Sequence, residues 1–242
     1  MWCDAKANLT LIRDSLRSQS VEDIDLVALP ETSLTGFAVT LEMQPLKSFR
    51  TELAELGLWA KETSTSILLG AFLDEETFRS NAVIFISGDT GEATVAYRKI
   101  HLFTFAEEQK VCSAGSSLGI LELKNIALGM AICFDLRSVD LFSKYRASDV
   151  EIMLVIANWP ATRQDHFTAL LKARALDMQF AVIGLNRSGK DPIVGQYDGT
   201  PVGFYADGSP MDFARSNQFS IVEMEKAELC SRSLELMKGF YD

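Results

Sequence analysis

The stretch from Ile126 to Arg137, IALGMAICFDLR, constrains this chain most. An unbroken apolar run closed by a polar turn reads as a buried strand, and the Asp-Leu-Arg that follows begins a helical pattern. Cys133 therefore falls where a buried strand ends and a helix starts. In α/β sheets, ligands bind beyond the carboxyl ends of strands, and a helix N-terminus lowers the pKa of a thiol. The position suits a reactive cysteine. A small core hydrophobe is the other reading that this residue type allows.

The 242 residues, 48% of them apolar, suffice for one large domain over 1–242 with a sizeable core. The longest apolar runs, such as IMLVIA at 152–157, are strand-sized and too short to span a membrane. No basic stretch leading into an apolar one opens the chain, so no secretory signal is read. Without an export signal, Cys3, Cys112, Cys133 and Cys230 are expected as reduced thiols in a cytoplasmic protein. A net charge of −10 argues against nucleic-acid binding. It leaves open a small anionic substrate held by one or two arginines. His101 and His166 have no Cys or carboxylate around them at metal-ligand spacing, so no metal site is expected.

Taken in order, 5–18 places Leu9, Ile12 and Leu16 on one helical face, with Asp4 as N-cap. A strand would normally lead into such a helix, so the first strand of an α/β pattern is read as missing. Strands are expected over 25–30, 66–72, 81–87, 93–100, 126–133, 151–157 and 180–186. The turn Gly88–Gly91 joins two of them as a hairpin. Helices are expected from Phe49 to Ala60, around 138–146 and over 162–179. Asn158-Trp159-Pro160 closes the strand over 151–157, the proline ending its ladder. Antiparallel strands run on to Met224 through turns at Asp198-Gly199 and Asp207-Gly208, and a short helix follows. Alternating strands and helices with interspersed hairpins favour a mixed sheet system with helices outside.

Glu31 follows DLVALP, Lys99 lies near the end of ATVAYRKI, and Cys133 ends IALGMAIC. Each is a reactive group where an apolar strand gives out. Singly, Glu31 also reads as a cap or solvated carboxylate and Lys99 as a surface charge. Together they supply what amide hydrolysis through a thioester requires: a thiol nucleophile, a carboxylate that takes and returns a proton, and a cation for the oxyanion. Neither histidine is needed in this scheme.

Glu31 in LPETSLTGF, Lys99 in YRKIHLF and Cys133 in AICFDLR resemble the Glu-Lys-Cys triad of the nitrilase, or carbon-nitrogen hydrolase, superfamily. The resemblance continues through ANWPATR, LLKARALDMQFAVIGLNRSGKD and YDGTPVGFYADG, and is nearest the omega-amidase branch. It implies a four-layer αββα sandwich, α/β in class, paired into a homodimer or larger homo-oligomer. It also implies an enzyme without cofactor, acting with water on the omega-amide of a 2-oxo dicarboxylic acid such as 2-oxoglutaramate or 2-oxosuccinamate. A second glutamate is implied between lysine and cysteine. Glu108 matches it, positioning Lys99 and the hydrolytic water, although beside Glu107 it also reads as a solvated charge. The backbone N–H of Phe134 would share the oxyanion with Lys99.

Such a substrate carries a far carboxylate, which calls for a fixed cation, and the arginine fork suits it best. Arg163 and Arg137 are the candidates, each with an ion pair as its other reading, Arg137 with Asp135 or Asp140. Arg174, on the apolar side of its helix, is either a buried pair or a site residue. Trp159 either lines the pocket or belongs to the core. Departures from the family pattern are Ser138-Val139 for Phe-Pro, Cys112 for an aromatic, Asp177-Met178-Gln179 for Glu-Asn-Gln, and Pro201 for serine. They leave the triad whole. Rival readings are an amidase for N-carbamoyl amino acids, deaminated glutathione or aliphatic amides, and a catalytically silent scaffold.

Overall fold

A computed structural model describes residues 2–18, 24–39, 50–75, 78–216 and 219–232. Two compact units emerge. One comprises Met1–Ser117 with Asp191–Ile193, the other Leu118–Lys190 with Val194–Asp242.

The first unit opens with α1 (Ala5–Arg17), whose N-cap Asp4 accepts from Ala7 N–H. Leu9 and Leu16 are buried, so the apolar stripe faces inward as its spacing requires. After β1 (Leu26–Ala28) comes α2 (Arg50–Thr63). Phe49, the expected start of that helix, lies outside the described residues. The strands β2 (Ser66–Asp74), β3 (Arg79–Ile86) and β4 (Ala93–Arg98) complete a sheet ordered β1-β2-β3-β4. β1 runs parallel to β2, whereas β2, β3 and β4 are successively antiparallel. The β3–β4 hairpin turns at Gly91, whose φ of +76° is easy only for glycine.

The second unit begins with the hairpin of β5 (Gly119–Leu123) and β6 (Ile126–Ile132). Then follow α3 (Val139–Arg146), β7 (Ile152–Ala157), α4 (Gln164–Met178) and β8 (Ala181–Asn186). β6, β7 and β8 are parallel neighbours. A short pair, β9 (Ser188–Asp191) and β10 (Gly195–Asp198), precedes β11 (Val202–Phe204), which adds antiparallel to β8. The order is thus β11-β8-β7-β6-β5. The small hairpin β12 (Ala214–Ser216) and β13 (Phe219–Ile221) and helix α5 (Lys226–Ser231) come last. β7 is buried at every position, as a central parallel strand covered on both faces must be.

One expectation is corrected. The helical pattern after Cys133 is a 3-10 turn, Cys133–Arg137, and the α-helix starts six residues beyond the cysteine, at Val139. The cause is local. Asp135 turns its carboxylate back to accept from Ile132 N–H (3.0 Å), which closes the short turn on itself. Ser138 then supplies the true cap, accepting from Leu141 N–H. No described helix is long and apolar enough to cross a membrane.

Candidate active site

Four polar side chains of the first unit, Glu31, Asn81, Lys99 and Glu108, are wholly buried in mutual contact. The sequence delivers each to a defined point. Glu31 starts the turn after β1, which is tied down by Ser33 N–H on Gly70 O (2.8 Å) and Gly36 N–H on Thr32 O (2.7 Å). Lys99 directly follows β4. Its N–H donates to Asn81 O and its carbonyl accepts from Gly115 N–H, both at 2.8 Å. A Cβ on Gly115 would lie 2.2 Å from Arg98 O, so only glycine permits this clamp. Glu108 opens a short 3-10 turn, reached through Glu107 in the left-handed region. Of the two adjacent glutamates, Glu107 is exposed and pairs with Lys110, whereas Glu108 points inward.

Lys99 Nζ donates to Glu31 Oε1 (3.0 Å) and contacts both oxygens of Glu108, Oε2 at 2.9 Å and Oε1 at 3.2 Å. Glu108 Oε2 also accepts from Phe103 N–H (2.6 Å). Phe37 lies against the ammonium, its ring centroid 5.2 Å from Nζ, which adds a cation–π contact. A buried ion cluster of this kind is costly to desolvate, and it persists because every charge has partners. Glu31, Lys99 and Glu108 are thus assembled together, and neither Glu31 nor Glu108 is the solvated carboxylate that its neighbours in sequence would also allow.

The second unit holds Cys133. It directly follows β6, is half-buried, and has a φ of +51°. A non-glycine residue in this region carries strain that the surroundings must fix. Here Asp135 grips Ile132 on one side, and Arg174 Nε donates to Leu136 O (3.1 Å) on the other. Arg174 is buried over the Phe142 ring, and burial pushes its pKa down. Its task is structural: it holds the turn that carries the cysteine.

Arg137 is exposed and pairs with neither Asp135 nor Asp140. Its guanidinium carbon stands 4.9 Å over the ring of Trp159. Trp159 is buried against Phe167, centroids 5.4 Å apart, and its backbone is bracketed by Asn186. Asn186 Oδ1 accepts from Trp159 N–H and Nδ2 donates to Trp159 O, both at 2.8 Å. Trp159 is therefore a packed residue whose face supports an arginine. Arg163 ends the 3-10 turn Ala161–Arg163, is exposed, and has no ion pair among the described residues. Phe134, next after the cysteine, is half-buried.

Sequence reasoning passed over Asn81, Phe37 and Asn186. For Asn81 a signal existed: a lone amide opens the apolar run NAVIFIS. Phe37 ends the motif LPETSLTGF, but nothing in that motif says that its ring lies against the ammonium of Lys99.

The family model described as carbon-nitrogen hydrolase matches residues 1–208. The chain belongs to the carbon-nitrogen hydrolase family. It is thus an enzyme that hydrolyses carbon–nitrogen bonds, and one family model runs through both units. This hydrolase is 30% identical over its whole length to omega-amidase YafV of Yersinia enterocolitica, covering 92% of that protein. It is 30% identical to 2-oxoglutaramate amidase of Bacillus subtilis over 69% of this chain and 65% of the relative. Among solved structures, the hydrolase resembles XC1258 from Xanthomonas campestris, a CN-hydrolase superfamily protein with an arsenic adduct in its active site. The TM-score is 0.80 at 26% identity, covering 95% of this chain and 88% of the other. The amidase of Nesterenkonia sp. AN1, seen with acrylamide added to its active-site cysteine, shares the fold with a TM-score of 0.77 at 18% identity over 99% of this chain and 95% of that one. The α/β class and the nitrilase-type fold expected from the motifs are thereby established.

Proposed function

We propose that this hydrolase deamidates the omega-amide of a 2-oxo dicarboxylic acid, 2-oxoglutaramate or 2-oxosuccinamate, through a thioester on Cys133. The single observation that supports it most is the buried Glu31–Lys99–Glu108 cluster in a chain 30% identical to an omega-amidase along its full length. Glu31 takes the thiol proton of Cys133, and the thiolate attacks the amide carbon. Lys99 and the N–H of Phe134 carry the oxyanion. Glu31 gives its proton to departing ammonia, then draws one from water as that water attacks the thioester and releases the dicarboxylate. Glu108 holds Lys99 and orients the water.

Arg137 holds the far carboxylate, with Trp159 as its platform and Arg163 as a second cation. An arginine four residues beyond the nucleophile that has no carboxylate partner among the described residues retains its donors for a ligand. The family resemblance adds a homodimer, which light scattering would check.

The test is steady-state ammonia release from 2-oxoglutaramate, compared with glutamine, an N-carbamoyl amino acid, deaminated glutathione and propionamide. kcat/KM should be highest for 2-oxoglutaramate. A preference for any of the others would replace the substrate, and inertness toward all would favour a scaffold role.

A further inference from the structure

Asn81, near the start of β3, is wholly buried, and its two amide hydrogens go to two different carboxylates. Nδ2 stands 2.8 Å from Glu31 Oε1 and 2.8 Å from Glu108 Oε1. Its Oδ1 is also buried and accepts no hydrogen bond among the described residues. That orphaned acceptor is a desolvated polar atom, a costly feature in a protein interior. Turning the amide over would aim Oδ1 at two carboxylate oxygens, which is worse. The side chain is therefore held in the one orientation that donates twice, at the expense of its oxygen.

We propose that Asn81 is a positioning residue for the reaction: it ties Glu31 and Glu108 together beside Lys99 and so fixes how Glu31 presents its carboxylate as a base. This rests on the reading of Glu31 as the base for Cys133. Lys99 and Asn81 both donate to Glu31 Oε1, and this double grip on one oxygen fixes the direction of Oε2. Lysine alone cannot do this, because its three rotatable donors are a poor template for a plane. A neutral amide also brings two carboxylates together without adding charge, whereas a second cation would change the balance of the cluster. The backbone of residue 81 has a separate task, its carbonyl accepting from Lys99 N–H, and that bond survives any side-chain change.

Two variants test the idea, Asn81→Leu, which removes both donors, and Asn81→Asp, which keeps the shape but turns a donor into an acceptor. Each is checked for folding by circular dichroism and a thermal melt. With 2-oxoglutaramate, kcat should fall about tenfold to a hundredfold while KM stays within about threefold, the mark of a group acting on chemistry alone. Alkylation of Cys133 by iodoacetamide at neutral pH, followed by peptide mass analysis, should slow about tenfold or more in folded protein. A purely structural side chain would lower the melting temperature and leave both rates of the folded protein unchanged, which would overturn the proposal. Should Asn81→Leu not fold, Asn81→Asp decides by the same two readings. If the wild-type enzyme alkylates rapidly but ignores 2-oxoglutaramate, the substrate reading falls, and the alkylation comparison still judges Asn81.

Discussion

The Arg137 guanidinium rests 4.9 Å over the ring of Trp159, and no carboxylate among the described residues neutralises it. Stacking orients the planar fork without occupying its N–H groups. Arg137→Ala should therefore raise KM for 2-oxoglutaramate about tenfold to a hundredfold, the range for losing a charge-assisted hydrogen-bonded pair of about 1.5–3 kcal/mol. Arg137→Lys should recover only part of that. Propionamide, which lacks the carboxylate, serves as the control: its kinetics should be unchanged, and an equal loss with both amides would remove Arg137 from substrate binding.

Lys99 separates two buried carboxylates, Glu31 at 3.0 Å and Glu108 at 2.9 Å. Lys99→Met removes the only cation that the described contacts give this cluster. Breaking one partner out of a buried ion cluster costs about 3–5 kcal/mol. Urea unfolding should show that loss as a lowered midpoint, together with abolished turnover. A variant as stable as wild type would mean that the carboxylates do not depend on the lysine.

The fold was largely legible because its signals are local. The apolar runs at 66–72, 126–132 and 151–157 read as strands from their length and bounding turns, and Asp4 marked the start of α1 through its own side chain. Glu31, Lys99 and Cys133 stood out as reactive groups at strand ends. What stayed hidden depends on side chains far apart in sequence. Asn81 gains its meaning from Glu31, fifty positions earlier, and Glu108, twenty-seven later. Periodicity places it on a strand but cannot say what it faces. Asp-Leu-Arg reads as the start of a helical pattern but forms a 3-10 turn, and the helix expected around 138–146 begins at Val139.

Burial pushes the Cys112 thiol up to about 12 from an ordinary value of 9.0, and the Glu108 carboxylate adds to the shift. Two consequences follow. In the folded enzyme Cys112 should resist alkylation at pH 8, leaving Cys133 to react first. The sign for stability is equally definite. Below pH 9 the thiol is neutral in both states and its full contribution is present. Between about 9 and 12 the unfolded chain ionises while the folded one does not, so stability falls as pH rises. The limiting slope is about 1.4 kcal/mol per pH unit. Cys112→Ala should flatten the decline in melting temperature over that window. Some slope should persist, because burial raises the pKa of Tyr145 as well. An unaltered slope would mean that Cys112 ionises freely in the native protein.

Asn186 answers both backbone groups of Trp159 with one amide. Asn186→Ala leaves a buried N–H and C=O unsatisfied, at about 1–3 kcal/mol each. It should also loosen the platform under Arg137, raising KM for 2-oxoglutaramate while sparing propionamide. Measuring both amides separates loss of the platform from loss of the fold, since a general collapse would reduce the two alike.

Cys133 should carry an acyl group during turnover. Acid quenching of the enzyme in steady state with 2-oxoglutaramate, followed by peptide mass spectrometry, tests it most directly. A peptide containing Cys133 should appear heavier by the 2-oxoglutaryl group, and be absent from a Cys133→Ala enzyme that folds normally and releases no ammonia. Undiminished ammonia release by Cys133→Ala would contradict it.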